Sequence, residues 1–146
     1  MNKKALRVIA VTIILTLLLS TISYASQTSS EYIAITNAYI TRSGNDVNVY
    51  FYIVGCNFMD KIGATEIRIF EQNGTSWNRV KTFDSNDSQY SSAMIATDTY
   101  TISSHVTYTE GSASKNYYAI VYFYAEKDGG SDTIPQETPT SYGTAS

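Results

Sequence analysis

Apolar and polar residues alternate along most of this chain with a period of two, which is the pattern of a half-buried β-strand. The clearest example covers residues 47–54, where one phase is wholly apolar and the other contains asparagine and two tyrosines. The phase expected to face a core consists of Val47, Val49, Phe51 and Ile53. After residue 25 no stretch keeps a helical period over three turns, so the pattern predicts an all-β domain.

Turn residues divide this pattern into about seven segments. The predicted strands cover residues 32–41, 47–54, 65–71, 77–83, 94–109, 116–125 and 131–137. Asn73-Gly74 favours a type I′ hairpin turn, because both residues tolerate the positive φ that this turn requires. Residues 57–64 are less regular and allow a short helical turn or a bulged crossover, and residues 94–109 allow two strands or one long bent strand. Short strands at fairly even spacing predict an antiparallel β-sandwich.

The first 25 residues have the three parts of a secretory signal peptide. Three basic residues precede an apolar run over residues 8–19, and residues 23–25 form a small-x-small cleavage site. The run is shorter than the roughly 20 residues that a membrane-spanning helix needs. We therefore expect secretion after cleavage near Ala25. The expected organisation is a signal peptide over 1–25, a polar lead-in over 26–30, a β-sandwich domain over 31–137 and a flexible polar tail over 138–146.

Charge and cysteine content limit the partners and cross-links that this chain can have. The chain contains 10 Lys and Arg residues against 13 Asp and Glu residues, and cleavage removes three of the basic ones, leaving a net charge near −6. This balance argues against a nucleic acid or an anionic membrane as partner, because both require a basic surface. Cys56 is the single cysteine, so no internal disulfide can form. We expect its side chain to be buried as a small apolar group.

One segment carries a family resemblance. Residues 116–125, Asn-Tyr-Tyr-Ala-Ile-Val-Tyr-Phe-Tyr-Ala, resemble the penultimate strand of fibronectin-III-like modules, in which a tyrosine opens the strand and apolar residues follow at alternate positions. This implies an immunoglobulin-like or fibronectin-III-like β-sandwich with Tyr117 at the tyrosine-corner position. Residues 59–64, 77–82 and 118–132 are also similar to a family of small uncharacterised secreted proteins of Gram-positive bacteria. That second resemblance implies an exported domain and no particular activity.

The chain lacks the residue combinations that common hydrolases and zinc sites need. His105 is the only imidazole and lies in a predicted strand, and no Gly-x-Ser-x-Gly elbow surrounds a serine. Carboxylate pairs such as Glu66 with Glu71 are conceivable for glycoside hydrolysis, but surface charge explains them more simply. Calcium binding near Asp128 and Asp132 stays open, because oxygen ligands surround the turn there. We expect no enzyme activity and no cofactor.

The remaining functional signal is the placement of aromatic residues in a chain with 13 tyrosines. If the strands pair as in fibronectin-III-like modules, one outer sheet face carries a candidate ligand-binding set: Arg68, Phe70, Tyr118, Tyr122 and Tyr124. A contiguous exposed aromatic patch usually marks a binding surface, and aromatic rings also stack on sugars. The alternative is structural, because cross-strand tyrosine pairs stabilise a sheet by about 0.2–1 kcal/mol each.

Three functional hypotheses follow. The first is a secreted, non-catalytic β-sandwich module that binds a protein or a glycan at the cell exterior. The second is a structural, self-assembling extracellular protein whose edge strand or tyrosine face packs against further copies. The third is a small secreted hydrolase. We expect neither nucleic acid nor, once the signal peptide is removed, a membrane among its partners.

Overall fold

The computed structural model describes residues 30–143 and shows one antiparallel sheet of six strands. The strands are β1 (Ile33–Ser43), β2 (Asp46–Asn73), β3 (Ser76–Asp84), β4 (Ile95–Tyr108), β5 (Tyr117–Lys127) and β6 (Gly130–Glu137). A single turn of helix, α1 (Ser91–Met94), precedes β4. The all-β, antiparallel prediction is therefore confirmed. The predicted signal peptide, most of the lead-in and the last three residues of the tail lie outside the described residues.

Strand β2 organises the sheet because its 28 residues pair with four other strands. Its first part, up to Gly55, lies between β1 and β4. Its second part pairs with β5 over residues 61–71 and with β3 over residues 66–73, and β6 adds to the far side of β5. The pairing with β4 shifts register between Val54 and Met59, and such bulges bend a strand. The sheet consequently curls, and the two parts of β2 lie in different parts of the curl.

The continuity of β2 corrects the predicted strand count of about seven. Two predicted strands, over residues 47–54 and 65–71, are parts of this one strand. The irregular segment over 57–64 that separates them stays extended and bulged, so the helical-turn alternative was wrong. Helix α1 lies instead at the end of the segment that links the predicted strands over 77–83 and 94–109, and the second of these forms the single strand β4.

The inward-facing residues of the curled sheet form an apolar core. The predicted inward phase of the first part of β2 is confirmed, because Val47, Val49, Phe51 and Ile53 are at most 1% exposed. Ile67 and Ile69 of the second part are also fully buried. Phe51 meets Phe123 of β5 edge to face, with ring centroids 6.4 Å apart. Both parts of β2 thus contribute to one core, and each large side chain buried there stabilises the fold by about 1.5–3 kcal/mol.

Two glycines allow close turns and close approaches. The β2–β3 turn is Gly74-Thr75, since Asn73 pairs with Ser76 as the last residue of β2 and Gly74 takes the positive φ of 62°. The predicted turn at Asn73-Gly74 was therefore displaced by one residue. At Gly63 the end of α1 comes so near that a Cβ would collide with the Met94 carbonyl oxygen. Only glycine fits there without moving α1 away from β2.

Two further positions depart from the simple alternation. Cys56 was predicted to be buried but is exposed, because the inward–outward alternation breaks where β2 bulges after Val54. Thr138, where the predicted tail begins, is 3% exposed, and its backbone amide donates to the Ala119 carbonyl. The Thr138 hydroxyl accepts a hydrogen bond from the Ala119 amide, and Ser141 forms a further bridge to Tyr117. Residues 138–141 therefore continue along the same edge of β5 that β6 pairs with.

Within residues 30–143, no helix combines the length and apolar character needed to cross a membrane.

Candidate binding site

The five predicted site residues lie together on one outer surface, which we call the β5 face. It consists of the outward-facing residues of β5 and of residues 61–72 of β2. Arg68 and Phe70 come from β2, and Tyr118, Tyr122 and Tyr124 come from β5. The two strands alternate between buried and half-buried residues, so every second side chain points away from the core. None of the five is fully exposed; each is half-buried.

One end of the β5 face is an aromatic cluster. Phe70 and Tyr118 are direct cross-strand neighbours, and their rings stack 4.8 Å apart and almost parallel, at 5°. Trp77 of β3 packs edge-on against Tyr118, with centroids 4.8 Å apart. Partial burial raises the pKa of the Tyr118 hydroxyl. Trp77 is not among the predicted site residues, although its position just after the β2–β3 turn places it beside the end of β2.

The middle of the β5 face is an ion pair covered by a ring. Arg68 donates from Nε and Nη2 to the two carboxylate oxygens of Glu66, at 2.6 and 2.9 Å. Its Nη1 donates to the Tyr122 hydroxyl at 2.8 Å, and the guanidinium lies 4.7 Å from the Tyr122 ring centroid. The hydrogen bond with Glu66 raises the pKa of Arg68. The guanidinium is therefore held in place by its neighbours before any ligand arrives.

The other end of the β5 face carries a tyrosine, a carboxylate and an ammonium group. The Tyr124 hydroxyl donates to Glu126 Oε2 at 2.6 Å, and Lys61 Nζ lies 3.5 Å from the same oxygen. The hydrogen bond from Tyr124, assisted by the charge of Lys61, lowers the pKa of Glu126, and the same bond raises the pKa of Tyr124. This arrangement keeps Glu126 ionised and fixes the ring of Tyr124 in one orientation.

A cleft of about 440 Å³ opens beside Tyr124, between the sheet and the segment that leads into β4. Its sheet side includes Lys61, Thr65 and Tyr124, and its other side includes Ser85, Asn86 and Ser91. The segment comes close to the sheet because Gly63 permits the approach of Met94. This volume is within the range of small-ligand sites, about 300–1,000 Å³.

The lining of this cleft suits a neutral, hydroxyl-rich ligand. The groups at hand are hydroxyls, one amide, one ammonium, one aromatic ring and the aliphatic side chain of Ile95. Hydroxyls and amides can both donate and accept hydrogen bonds, which matches the hydroxyls of a sugar. A strongly anionic ligand would meet one cation, Lys61, whose charge already pairs with Glu126.

A second aromatic surface, which the sequence analysis did not single out, lies on the outward side of β1, of β4 and of the first part of β2. We call it the β4 face. Tyr39, Tyr50 and His105 are direct neighbours across these three strands. The Tyr39 and Tyr50 rings stack 5.0 Å apart at 6°, and the Tyr50 and His105 rings lie 5.1 Å apart at 26°. Three rings thus form a ladder across the sheet.

The β4 face is more exposed than the predicted site. Six large hydrophobic residues of the described chain are exposed, and five belong to β1, to residues 46–58 of β2 or to β4: Ile35, Tyr39, Tyr52, Phe58 and Tyr100. The two-residue turn Gly44-Asn45 contained the missed signal, because pairing Ser43 with Asp46 also aligns Tyr39 with Tyr50. Counting back from that turn would have revealed the first two rings of the ladder.

The residues considered for catalysis and for metal binding have structural contacts of their own. His105 is exposed and stacks on Tyr50. One carboxylate oxygen of Asp132 accepts hydrogen bonds from the Ser30 hydroxyl and from the amides of Glu31 and Tyr32, and these bonds lower the pKa of Asp132. Across the described range, 30–143, no three His, Cys, Asp or Glu side chains group as a metal ion would require.

Neither the protein-family models nor the curated proteins with which the chain was compared gave a match.

Proposed function

We propose that this protein is a secreted, non-catalytic module that binds a glycan at the cell exterior through the β5 face and its cleft. The observation that carries the proposal is the cleft beside Tyr124, where an immobilised ring stands next to hydroxyl and amide groups. Rings stack on the apolar faces of sugars, while hydroxyl and amide side chains bind sugar hydroxyls. An extracellular protein partner is the alternative ligand for the same face.

The proposed architecture is an immunoglobulin-like or fibronectin-III-like β-sandwich, as in the secreted Gram-positive proteins that the sequence resembles. Two contacts support it. Phe51 and Phe123 meet in the core between the first part of β2 and β5. The Tyr117 hydroxyl accepts a hydrogen bond at 2.9 Å from the amide of Ser112, five residues upstream, which is the kind of backbone contact that a tyrosine corner makes.

Binding of soluble N-acetylglucosamine oligomers is best followed by isothermal titration calorimetry, because Trp77, the single tryptophan of the chain, lies at the opposite end of the β5 face from the cleft. We expect a saturable binding isotherm. Tyr124→Ser should weaken binding at least about tenfold, equivalent to about 1.4 kcal/mol. Tyr142→Ser is the matched control, because Tyr142 is 76% exposed and does not line the cleft.

Two results would contradict this proposal. Equal affinities for the Tyr124→Ser and Tyr142→Ser variants would remove the cleft from the binding site. No response to any oligosaccharide, together with capture of a protein through the same face, would favour the protein-ligand alternative. Mass spectrometry of the protein from culture medium tests secretion separately, with Ser26 expected as the first residue.

A further inference from the structure

The β4 face carries no charged side chain over four successive rows. Each row pairs one outward residue of β2 with one residue of β1 and one of β4, and the β2 members are Asn48, Tyr50, Tyr52 and Val54. The twelve positions contain Tyr, Thr, Ser, Asn, Ile, Val and His, without Asp, Glu, Lys or Arg. None of the twelve is buried. Surfaces of soluble domains usually mix charges of both signs, so this composition is unusual for a surface left to water.

Charge indicates what can cover this face. Residues 30–143 contain 13 acidic and 7 basic side chains, so two copies of the chain repel each other on average. That repulsion is weakest where no acidic group is present, and the four rows between Asn48 and Val54 are such a place, with Asp46 in the row beyond them. A strongly charged partner would find no counter-charge in these four rows. A second β4 face meets neither obstacle.

The orientation of the rings also favours a protein over a sugar as the covering group. Tyr39, Tyr50 and His105 stack on each other across the strands, so the faces between them are already covered. Tyr50, the middle ring, therefore has a neighbour on each of its faces. Ring edges and hydroxyl groups can interdigitate with those of a second ladder, whereas a sugar needs an open ring face.

The size of the face sets the expected strength. Seven residues along β2 and three strands across give roughly 25 by 15 Å, using about 3.4 Å per residue and about 4.8 Å between strands. The resulting area of roughly 375 Å² is well below the roughly 800 Å² that each partner buries in a stable complex, so association should be weak. The dissociation constant is expected in the range of about 10 μM to 1 mM.

We infer that two copies of this chain associate weakly and reversibly through their β4 faces. This inference is independent of the glycan site, which lies on the β5 face. Sedimentation equilibrium of the purified protein over about 10 μM to 1 mM should show a monomer–dimer equilibrium.

The decisive variant is Ser103→Arg. Ser103 is exposed and faces Tyr52 in the middle of the β4 face. The arginine makes the chain less acidic, so general electrostatics predicts stronger association. Burying an unpaired charge at the proposed interface predicts the opposite, a loss of at least about tenfold in affinity. The control is Thr133→Arg, which adds the same charge at an exposed position on β6.

The outcomes are clear-cut. Loss of association in Ser103→Arg, with no loss in Thr133→Arg and unchanged circular dichroism in both, supports the β4 face as the interface. Increased association in both variants means that only net charge matters, and this overturns the inference. A parent protein that stays monomeric at about 1 mM overturns it as well. Retained oligosaccharide binding in Ser103→Arg would show that the two faces act separately.

Discussion

The two outer faces of this sheet contain similar numbers of aromatic rings but use them differently. On the β5 face, charges pair with each other and with tyrosine hydroxyls, as Arg68 does with Glu66 and Tyr122. On the β4 face, the rings of Tyr39 and Tyr50 stack among uncharged neighbours, and Tyr39 is exposed. Aromatic content alone therefore does not identify a binding surface. What differs is how far the polar groups are already satisfied within the chain.

This difference arises from the neighbours that β2 acquires along its length. Its second part lies beside β5, which is itself covered by β6, so long side chains find partners on both sides. Its first part lies between β1 and β4, and the residues brought opposite one another there are short or aromatic. Short hydroxyl side chains cannot cover the rings, so the rings stay open to solvent.

If both faces belong to one cooperative unit, a substitution in the core that they share should destabilise both. Phe123→Ala is the strongest test of this expectation. Phe123 is fully buried and contacts Phe51 beneath the β4 face. We expect the free energy of unfolding to fall by about 3–5 kcal/mol, because the substitution leaves a cavity in the core. Urea unfolding followed by Trp77 fluorescence and by near-ultraviolet circular dichroism of tyrosine should give coincident transitions. Separate transitions would show that the two faces unfold as independent units.

The junction between the two parts of the sheet is tested by Tyr117→Phe. The buried Tyr117 hydroxyl donates to Glu71 at 2.6 Å and accepts from the Ser112 amide, while Arg42 of β1 lies over its ring. Removing the hydroxyl leaves the Glu71 carboxylate and the Ser112 amide without this hydrogen-bond partner. We therefore expect the free energy of unfolding to fall by about 1–3 kcal/mol. Thermal unfolding with Tyr142→Phe as control measures this loss. Equal stability of the two variants would mean that water replaces both bonds.

Tyr117 should also make the free energy of unfolding depend on pH. Burial, together with the bond to Glu71, raises the pKa of Tyr117 from 10.0 to about 12. Because the folded state then holds this proton more tightly than the unfolded state, its contribution to stability is complete below pH 10 and is lost as the pH rises towards 12. The stability difference between the parent protein and Tyr117→Phe should shrink over this interval. A constant difference would contradict the assigned cause.

Much of the fold could be predicted from the sequence because burial alternates so regularly. The inward phase around Phe51 and the positions of β1, β3, β5 and β6 all follow from local pattern and turn chemistry. The continuity of β2 could not be predicted in the same way. Residues 57–64 break the alternation, and extended backbone with a bulge produces the same irregular pattern as a loop.

The candidate site was predictable in its members but not in its contacts. Strand phase placed Arg68 and Tyr122 on one face, yet the cross-strand register that brings them together depends on tertiary pairing. The cleft depends on the approach of Met94 to Gly63, which leaves no periodic trace in the sequence. The exposure of Cys56 was missed for the same reason as the bulge beside it.

A direct comparison of the two faces comes from Phe70→Ser and Tyr39→Ser. Phe70 is half-buried and stacks on Tyr118, so its loss should cost about 1–2 kcal/mol. Tyr39 is 47% exposed on a strand that pairs on one side, so its loss should cost about 0.5 kcal/mol or less. Chemical denaturation at a concentration low enough to keep the protein monomeric measures both. Equal losses would show that the rings of both faces are structural to the same degree.

The smallest expected effect concerns charge. Glu66→Gln removes the carboxylate that holds Arg68, and because both side chains are partly exposed the loss should be about 0.2–1 kcal/mol at low salt. Salt screens such a pair, so the difference from the parent protein should decline towards zero at about 1 M sodium chloride.

Asn48→Ala on the β4 face is the matched case, because it removes the bond from the Thr107 hydroxyl without removing a charge. Its cost should not depend on salt, since screening acts on charges and both Asn48 and Thr107 are uncharged. A salt-dependent loss in Asn48→Ala, or a salt-independent loss in Glu66→Gln, would mean that charge pairing is not what distinguishes the two faces.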